Sequence, residues 1–357
     1  MNSWEDPAVP HWDFPRSATG IGVLVEAGDA LGIEAGTILR GVGLGPADLS
    51  NADLLVAPES ELAAIRNLRT AAGHRPALAA EVGSAYRLTT FGILGYALLS
   101  SPTLRDVISM TLRFIDLSYI FSTIAVESTG DRIEVRLGGG TLPGDLREFL
   151  VDRDLFAIHS VLGDLVPGGL PFTEVVFGGG RSAPTLAAYG ERLGPVASSS
   201  EGEVGATAVF DAAHLDRPLP QGSTATVAVA ETLCRDLAAT RRTRGPVSSR
   251  ARVAITGRLS QGAPMPSVAA ELGVSPRTLR RRLAEEGTSY QRLLDDVRVE
   301  LAHRMLATGL LSVEDVAIRL GYAEASSFIH AFRRLTGTTP HRASVASRTR
   351  TPAARRA

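Results

Sequence analysis

The stretch "VSPRTLRRRLAEEGTSY", residues 274–290, places Arg277, Arg280, Arg281 and Arg282 within six positions of a chain whose formal net charge is -1. Guanidinium groups at that density suit one chemistry: rigid, permanently charged forks that donate to phosphate oxygens or, two bonds at a time, to guanine O6 and N7. Their spacing decides where they point. Ser275 is a good N-cap, Pro276 suits the first helical position, and Gly287 suits a left-handed stop, so a helix is predicted between them. At ~100° per residue, Leu279 and Leu283 mark its buried side and Arg281 lies almost opposite. Arg277 falls within ~40° of Arg281, Arg280 sits on one shoulder, and Arg282 is nearer the core edge. The competing reading is a solvated basic face paired with Glu285 and Glu286.

The elements around that helix favour the first reading. Val268-Ala269-Ala270-Glu271-Leu272-Gly273 recurs 48 residues later as Val316-Ala317-Ile318-Arg319-Leu320-Gly321. Each glycine is followed by apolar residues four apart, Leu279 and Leu283 or Phe328 and Phe332. Helix, glycine turn, helix is the helix-turn-helix pattern, whose second helix enters the major groove. Arg277, Thr278, Arg280 and Arg281 are the first copy's candidate DNA contacts. In the second copy, "AEASSFIHAFRRLTG", the groove-facing candidates are Glu324, Ala325, Ser326, Ser327 and His330, with Arg333 and Arg334 suited to phosphates. Serine and alanine read bases weakly, so this half is expected to position more than specify. Between the copies, "SYQRLLDDVRVELAHRMLAT" carries Leu293, Leu294, Val297, Leu301 and Leu306 without a breaker. Such a helix spans ~28 Å, close to the ~34 Å between successive major grooves on one DNA face.

Charge is polarised to match. From Arg241 onward there are 21 arginines and 9 acidic residues, whereas residues 1–240 carry 16 arginines and 29 acids. Lysine is absent throughout, so the distribution of arginine is informative and its number is not. A basic block is what a polyanion partner requires. The N-terminus is acidic where a secretory signal would be basic and then apolar, the longest apolar run ("FGILGYALL") is too short for a membrane span, and Cys234 stands alone. These point to a cytoplasmic protein without a membrane partner.

Upstream, the pattern is mixed. "ESELAAIRNLRTAAG", with Leu62, Ile65 and Leu68, reads as a helix closed by Gly73, and "SPTLRDVISMTLRFIDL" reads as another, with Leu104, Val107, Ile108, Leu112 and Ile115 on one face. "FSTIAVESTGDRIEVRL" alternates about a Thr-Gly-Asp turn, a hairpin signal. "LREFLVDRDLFAIHSVLGDL" returns to helix, "FTEVVF" and "ATAVF" to strand, "SSSEGEVGA" to surface loop and "TATVAVAETLCRDLAATRR" to helix. The expected fold is an α+β regulatory domain followed by an all-α domain with two helix-turn-helix motifs joined by a long helix. The boundaries expected are a leader at 1–18, a sensing and dimerisation domain at 19–222, a connecting helix and linker at 223–248 around Gly245 and Pro246, the DNA-binding domain at 249–344, and a basic tail at 345–357.

Residues 250–342 resemble the tandem helix-turn-helix domain of AraC/XylS-type transcription regulators, through "VAAELGVSPRTLRRRLAEEGTSYQRLLDDVR" and "VAIRLGYAEASSFIHAFRRLTGTTP". That family follows its final proline with two variable residues, an aromatic and an arginine, whereas Pro340 here precedes His341, Arg342, Ala343 and Ser344. Residues 20 to about 220 resemble the arabinose-binding-like regulatory domain of AraC-type regulators such as those of ornithine utilisation, through "ILRGVGLGPADLSN", "TTFGILGYALLSSPTLRDVI" and "GERLGPVASSSEGEVGATAVFDAAHLDRPLP". The resemblance implies promoter DNA, a small-molecule effector, RNA polymerase and a homodimer as partners, and does not imply that arabinose is the effector.

Other features carry less. The glycine runs at 138–140 and 178–180 lack a Walker lysine or dinucleotide spacing and read as strand-ending turns, and "GVGLGP" near residue 41 reads as loop. Arg113 beside Phe114, Tyr119 and Phe121 is the candidate effector site, with core packing as the alternative, and His159 is a further candidate. Cys234 reads as a buried thiol, and a single cysteine excludes the alkyl-transfer chemistry joined to some related domains. No nucleophile motif, metal-ligand spacing or cofactor loop marks residues 20–220, so no catalytic residue, metal or cofactor is expected. The alternatives are an architectural DNA binder that senses nothing and an enzyme with an appended DNA-binding module.

Overall fold

The computed structural model describes Trp4, Trp12 and residues 14–343, except Ala52, Thr141, Glu201, Gly202, Gly245, Pro246, Gly287 and residues 308–310. Most of the expected leader, the linker's Gly245 and Pro246, the expected stop at Gly287 and the basic tail lie outside the described residues. Two compact units divide the chain, residues 1–244 and 245–357.

In the first unit, β1 (Arg16–Ser17) pairs antiparallel with β2 (Leu55–Val56) across α1 (Thr19–Asp29) and the short α2 (Ala35–Ile38). α3 (Pro58–Ala72) starts on proline, buries Leu62, Ile65 and Leu68 at the expected spacing, and ends at Gly73 with φ +65°. After α4 (Leu78–Ser84) and α5 (Ile93–Leu99) comes α6 (Leu104–Arg113), where Thr103 and Asp106 form a capping box. α6 ends at Arg113, so Ile115 belongs to a following 3-10 turn, still buried but off the helix face the spacing predicts.

β3 (Thr123–Thr129) and β4 (Arg132–Gly138) form the hairpin, with Gly130 at φ +63° in its two-residue turn. α7 (Arg147–Leu165) then leads to β5 (Glu174–Gly178), α8 (Ala183–Leu193), β6 (Val196–Ser199) and β7 (Gly205–Asp211). The sheet runs β3-β4-β7-β5-β6, antiparallel except for β5 and β6, which α8 joins as parallel neighbours. Ile133, Val135 and Leu137 of β4, Ala206, Ala208 and Phe210 of β7, and Val175 and Phe177 of β5 are buried, and α7 packs against β4 and β7. β6 begins just before the expected surface loop and takes in Ser198 and Ser199; "VASS" has no apolar alternation to announce it, and pairing with the edge of β5 makes it a strand. α9 (Thr224–Arg244) buries Ala230, Cys234 and Ala238 every fourth residue and packs on α5, so this helix shares the first unit's core.

The second unit is α10 (Val247–Arg258), α11 (Met265–Glu271), α12 (Pro276–Glu285), α13 (Tyr290–Ala307), α14 (Val313–Arg319) and α15 (Ala325–Thr336), around its own core. The 48-residue repeat extends beyond the two motifs. Arg250 Nη2 donates to the Leu272 carbonyl at 3.3 Å, and Arg298 Nε donates to the Leu320 carbonyl at 3.1 Å. Both acceptors are the C-caps of short helices whose last carbonyls have no intrahelical partner and carry the negative end of the helix dipole. Each helix is thereby locked to the longer one behind it, with Gly273 and Gly321 turning at φ +68° and +73°.

The two turns differ in surroundings. A Cβ on Gly273 would meet nothing within 4 Å, whereas one on Gly321 would lie 2.2 Å from the Leu259 carbonyl oxygen and 2.8 Å from Gly262. Gly273→Ala is expected to cost ~1–2 kcal/mol from left-handed backbone strain alone. Gly321→Ala should cost a further ~1–3 kcal/mol for the clash. Urea unfolding midpoints check this, and equal losses at the two sites would refute the close approach at Gly321.

Candidate nucleic-acid interface and sensor core

Helical phase places the arginines of α12. Ser275 Oγ accepts from Thr278 N at 3.1 Å and shares a 2.8 Å bond with Thr278 Oγ1, so the Thr278 hydroxyl is engaged at the cap. Leu279 and Leu283 are fully buried, Arg277, Arg280 and Arg281 are exposed, and Arg282 is half-buried. Arg281 Nη1 donates to Glu285 Oε1 at 2.5 Å, an exposed i,i+4 pair of ~0.3–0.5 kcal/mol that a phosphate or base can displace. Glu286 is committed elsewhere: its carboxylate accepts from Val247 N at 2.7 Å and Ser248 N at 2.8 Å, capping α10.

α15 turns Phe328 and Phe332 inward, their centroids 5.6 Å apart, and leaves Ser326, Ser327, His330, Arg333 and Arg334 exposed. Ser326 Oγ donates to Glu324 at 3.1 Å, and Arg334 lies 3.6 Å from Asp295. α13, 18 residues or ~27 Å long, buries Leu293, Leu294, Val297, Ala302 and Leu306, with Leu301 only half-buried. It is pinned to the first motif by Tyr290 OH donating to the Ala263 carbonyl at 2.6 Å, and to the second by Arg298, whose guanidinium lies 4.3 Å from the Tyr322 ring centroid. At the end, Pro340 is buried and half-buried Ala343 packs against the core.

Two helix-turn-helix readers on one helical scaffold, behind an α+β unit, match known proteins along most of the chain. Residues 32–219 match the arabinose-binding N-terminal domain of AraC transcription regulators, and residues 268–344 match a helix-turn-helix domain. The chain belongs to the AraC family of transcription regulators. It is 32% identical to an uncharacterised helix-turn-helix-type transcriptional regulator of Mycobacterium tuberculosis over 325 residues, 89% of this chain and 93% of the relative. It is 31% identical to the ornithine utilization regulator of Pseudomonas aeruginosa over 74% of this chain and 77% of that one. A solved structure, the transcriptional regulator CdpR from Pseudomonas aeruginosa, aligns over 76% of this chain and 88% of its own at 28% identity and a TM-score of 0.40. This AraC-family protein is therefore a DNA-binding transcription regulator with an effector-domain-like first unit.

The sensor candidates fall in different places. Phe114, Tyr119 and Phe121 are buried in the first core, but exposed Arg113 turns to α9, where Nη1 donates to Glu231 Oε1 at 2.7 Å. His159 is half-buried on α7, 5.4 Å from the Phe172 ring, and burial lowers its pKa. The cations over the aromatics are instead Arg16 and Arg153, 3.7 and 5.3 Å from the Phe121 centroid. Arg153 sits between Asp152 and Asp154 on α7, and all three are buried. Helical periodicity does not single them out, although three consecutive charges inside "REFLVDRDLFAIHSVL" are a legible anomaly. Asp152 is accounted for structurally: Arg181 Nε and Nη2 each donate to it at 2.9 Å, Tyr189 OH donates at 2.9 Å, and Arg181 Nη1 reaches the Gly178 and Gly180 carbonyls. The second glycine run is thus a turn closed around a guanidinium. A Cβ on Gly178 would lie 2.6 Å from the Glu203 carbonyl oxygen, and no phosphate loop is needed to explain it.

On the DNA side, Arg281→Ala should relax base preference at one position and cost ~1–3 kcal/mol of specific binding, whereas Arg333→Ala should weaken all sequences alike and lower the salt slope by ~1. Salt-titrated binding to matched and mismatched duplexes separates the two. Identical behaviour of both variants would remove Arg281 from the groove.

Proposed function

We propose that this regulator is an effector-responsive activator that reads two successive major grooves, with Arg277, Thr278, Arg280 and Arg281 reading bases and Ser326, Ser327, His330, Arg333 and Arg334 chiefly holding the second site. The observation that carries the reading is the 48-residue repeat. It presents two exposed second-helix faces on one scaffold, and the helix before each is fixed by the same arginine-to-carbonyl bond. The length of α13 supports a spacing of one DNA turn.

In this reading the first unit senses a small molecule in the cytoplasm, and the protein regulates without catalysing a reaction. Among the described residues, no helix is long and apolar enough to cross a membrane. Sensing requires that the effector bind the DNA-competent and incompetent arrangements with different affinity, since equal affinity shifts nothing. RNA polymerase is the downstream partner of an activator. Dimerisation would double the DNA contacts, and α9 offers a surface for it: Val229 and Leu233, four residues apart, are 62% and 48% exposed.

Two outcomes are expected. Genome-wide binding of the purified protein to fragmented DNA of its source should return a bipartite motif with half-sites about one turn apart, whereas diffuse binding would favour an architectural role. The double variant Val229→Asp/Leu233→Asp leaves the buried Ala230, Cys234 and Ala238 face intact. It should sediment as a monomer and lose roughly 100-fold or more in operator affinity; an unchanged mass and affinity would exclude α9 as the dimer surface.

A further inference from the structure

The first unit buries a group of charges whose hydrogen bonding is incomplete. Arg16 of β1, Glu61 in the first turn of α3, and Arg153 and Asp154 of α7 all have side chains at 0–1% exposure. Part of the group is satisfied. Asp154 Oδ2 accepts from Phe121 N, Ser122 N and Ser122 Oγ at 2.7–2.9 Å, and Arg16 Nη2 donates to the Ile120 carbonyl at 2.8 Å and the Trp12 carbonyl at 3.1 Å. These bonds hold the loop before β3 and seat Phe121 against Arg16.

Glu61 is the least satisfied member. Neither of its oxygens accepts a hydrogen bond. The nearest cations are Arg16 Nη1 at 3.6 Å and Arg153 Nη1 at 3.9 Å, both beyond hydrogen-bond length. Arg16 Nε and Nη1 and Arg153 Nε likewise lack an acceptor, while Arg153 Nη2 and Asp154 Oδ1 meet only each other, as an ion pair at 3.0 Å. Buried polar atoms are nearly always paired, and a desolvated carboxylate without a donor is among the most costly exceptions. The contrast with Asp152, Arg181 and Tyr189 on the same helix is direct: that cluster is saturated and needs nothing further. Aromatic rings wall the unsatisfied one, with Phe121 and Phe14 at 3.7 and 4.7 Å from the Arg16 guanidinium and Tyr86 at 5.1 Å from that of Arg153.

The complement of this cluster can be read from its inventory. It offers unpaired acceptors on Glu61 and unpaired donors on two arginines, and its two cations and two carboxylates sum to zero formal charge. A lone anion would answer the arginines and face Glu61 with like charge, and a lone cation would do the reverse. A neutral polyol supplies hydrogen bonds without the opposite charges that desolvated ions require. A molecule carrying an ammonium and a carboxylate a few ångströms apart answers both sides and leaves the site neutral.

We propose that Arg16, Glu61 and Arg153 form the effector site of the first unit and that it takes a small zwitterion of the α-amino-acid type. The ammonium faces Glu61, the carboxylate faces the arginines, and the aromatic walls select the side chain. This rests on the effector-responsive reading above. Desolvation raises the pKa of the Glu61 carboxyl, opposed by the nearby charges of Arg16 and Arg153 and helped by Asp154. An incoming ammonium favours the ionised form, so binding releases a proton wherever free Glu61 is protonated, and affinity rises with pH until that carboxyl is ionised on its own.

The test is a thermal-shift and calorimetric screen of the full chain against the twenty proteinogenic amino acids, their N-acetyl and amide derivatives, neutral monosaccharides, and a small-molecule cell extract. The expected result is that at least one free amino acid stabilises the protein, that either single-charge derivative binds ~30-fold or more weakly, and that Glu61→Gln, folded by circular dichroism, loses affinity to the same degree. If Glu61→Gln does not fold, wild-type calorimetry in two buffers of different ionisation enthalpy reports the proton release in its place. A sugar or a single-charge derivative binding as tightly as any amino acid, or tight amino-acid binding with neither Glu61 dependence nor proton release, would overturn the proposal. Stabilisation by the extract alone would reject the zwitterion and keep effector sensing, whereas stabilisation by nothing would reject both.

Discussion

A guanidinium cannot shed its charge inside a protein, so every arginine drawn into the interior must be met by acceptors. This chain has no lysine, and arginine alone serves every cationic purpose. Where the interior supplies acceptors in full, the result is architecture: Arg181 closes a glycine turn on Asp152, and Arg250 and Arg298 lock two short helices by their last carbonyls. Where the acceptors are left to solvent, as at Arg277 and Arg280, or to an exposed and displaceable carboxylate, as at Arg281, the guanidinium remains available to a polyanion.

The second unit shows how one arrangement serves two sites. Duplication of helix and turn at a 48-residue interval carries the supporting arginine with it, so the first helix of each motif is held to the longer helix behind it by the same bond. The buried pair stays apolar, Leu279 and Leu283 against Phe328 and Phe332, while on the exposed side Arg277, Arg280 and Arg281 of α12 correspond to Ser326, Ile329 and His330 of α15. Rigid placement with variable chemistry is what sequence readout requires: misplacement degrades every contact, whereas a changed exposed side chain alters only what is read.

In the proposed reading the first unit meets the opposite requirement. A sensor must bury enough of its ligand to distinguish it, which puts charged groups in a core that would otherwise exclude them. The hairpin and α7 make this possible, because the Asp154 carboxylate collects three donors from the loop before β3 and fixes the aromatic wall over Arg16.

Periodicity along the chain determined a great deal. The α+β and all-α halves, the hairpin, the repeat and the outward arginines of α12 follow from spacings of two, four and 48 residues, because local phase fixes which side chains share a face. Tertiary structure decided the rest. It ended α6 at Arg113 and turned that arginine to Glu231, made an edge strand of Val196–Ser199, and drew α9 into a core through three small residues. It also brought Arg16, Glu61 and Arg153 together from positions 45 and 92 residues apart along the chain. No local pattern encodes such a meeting, because a contact between distant elements depends on how they pack, and periodicity reports only the face each element buries.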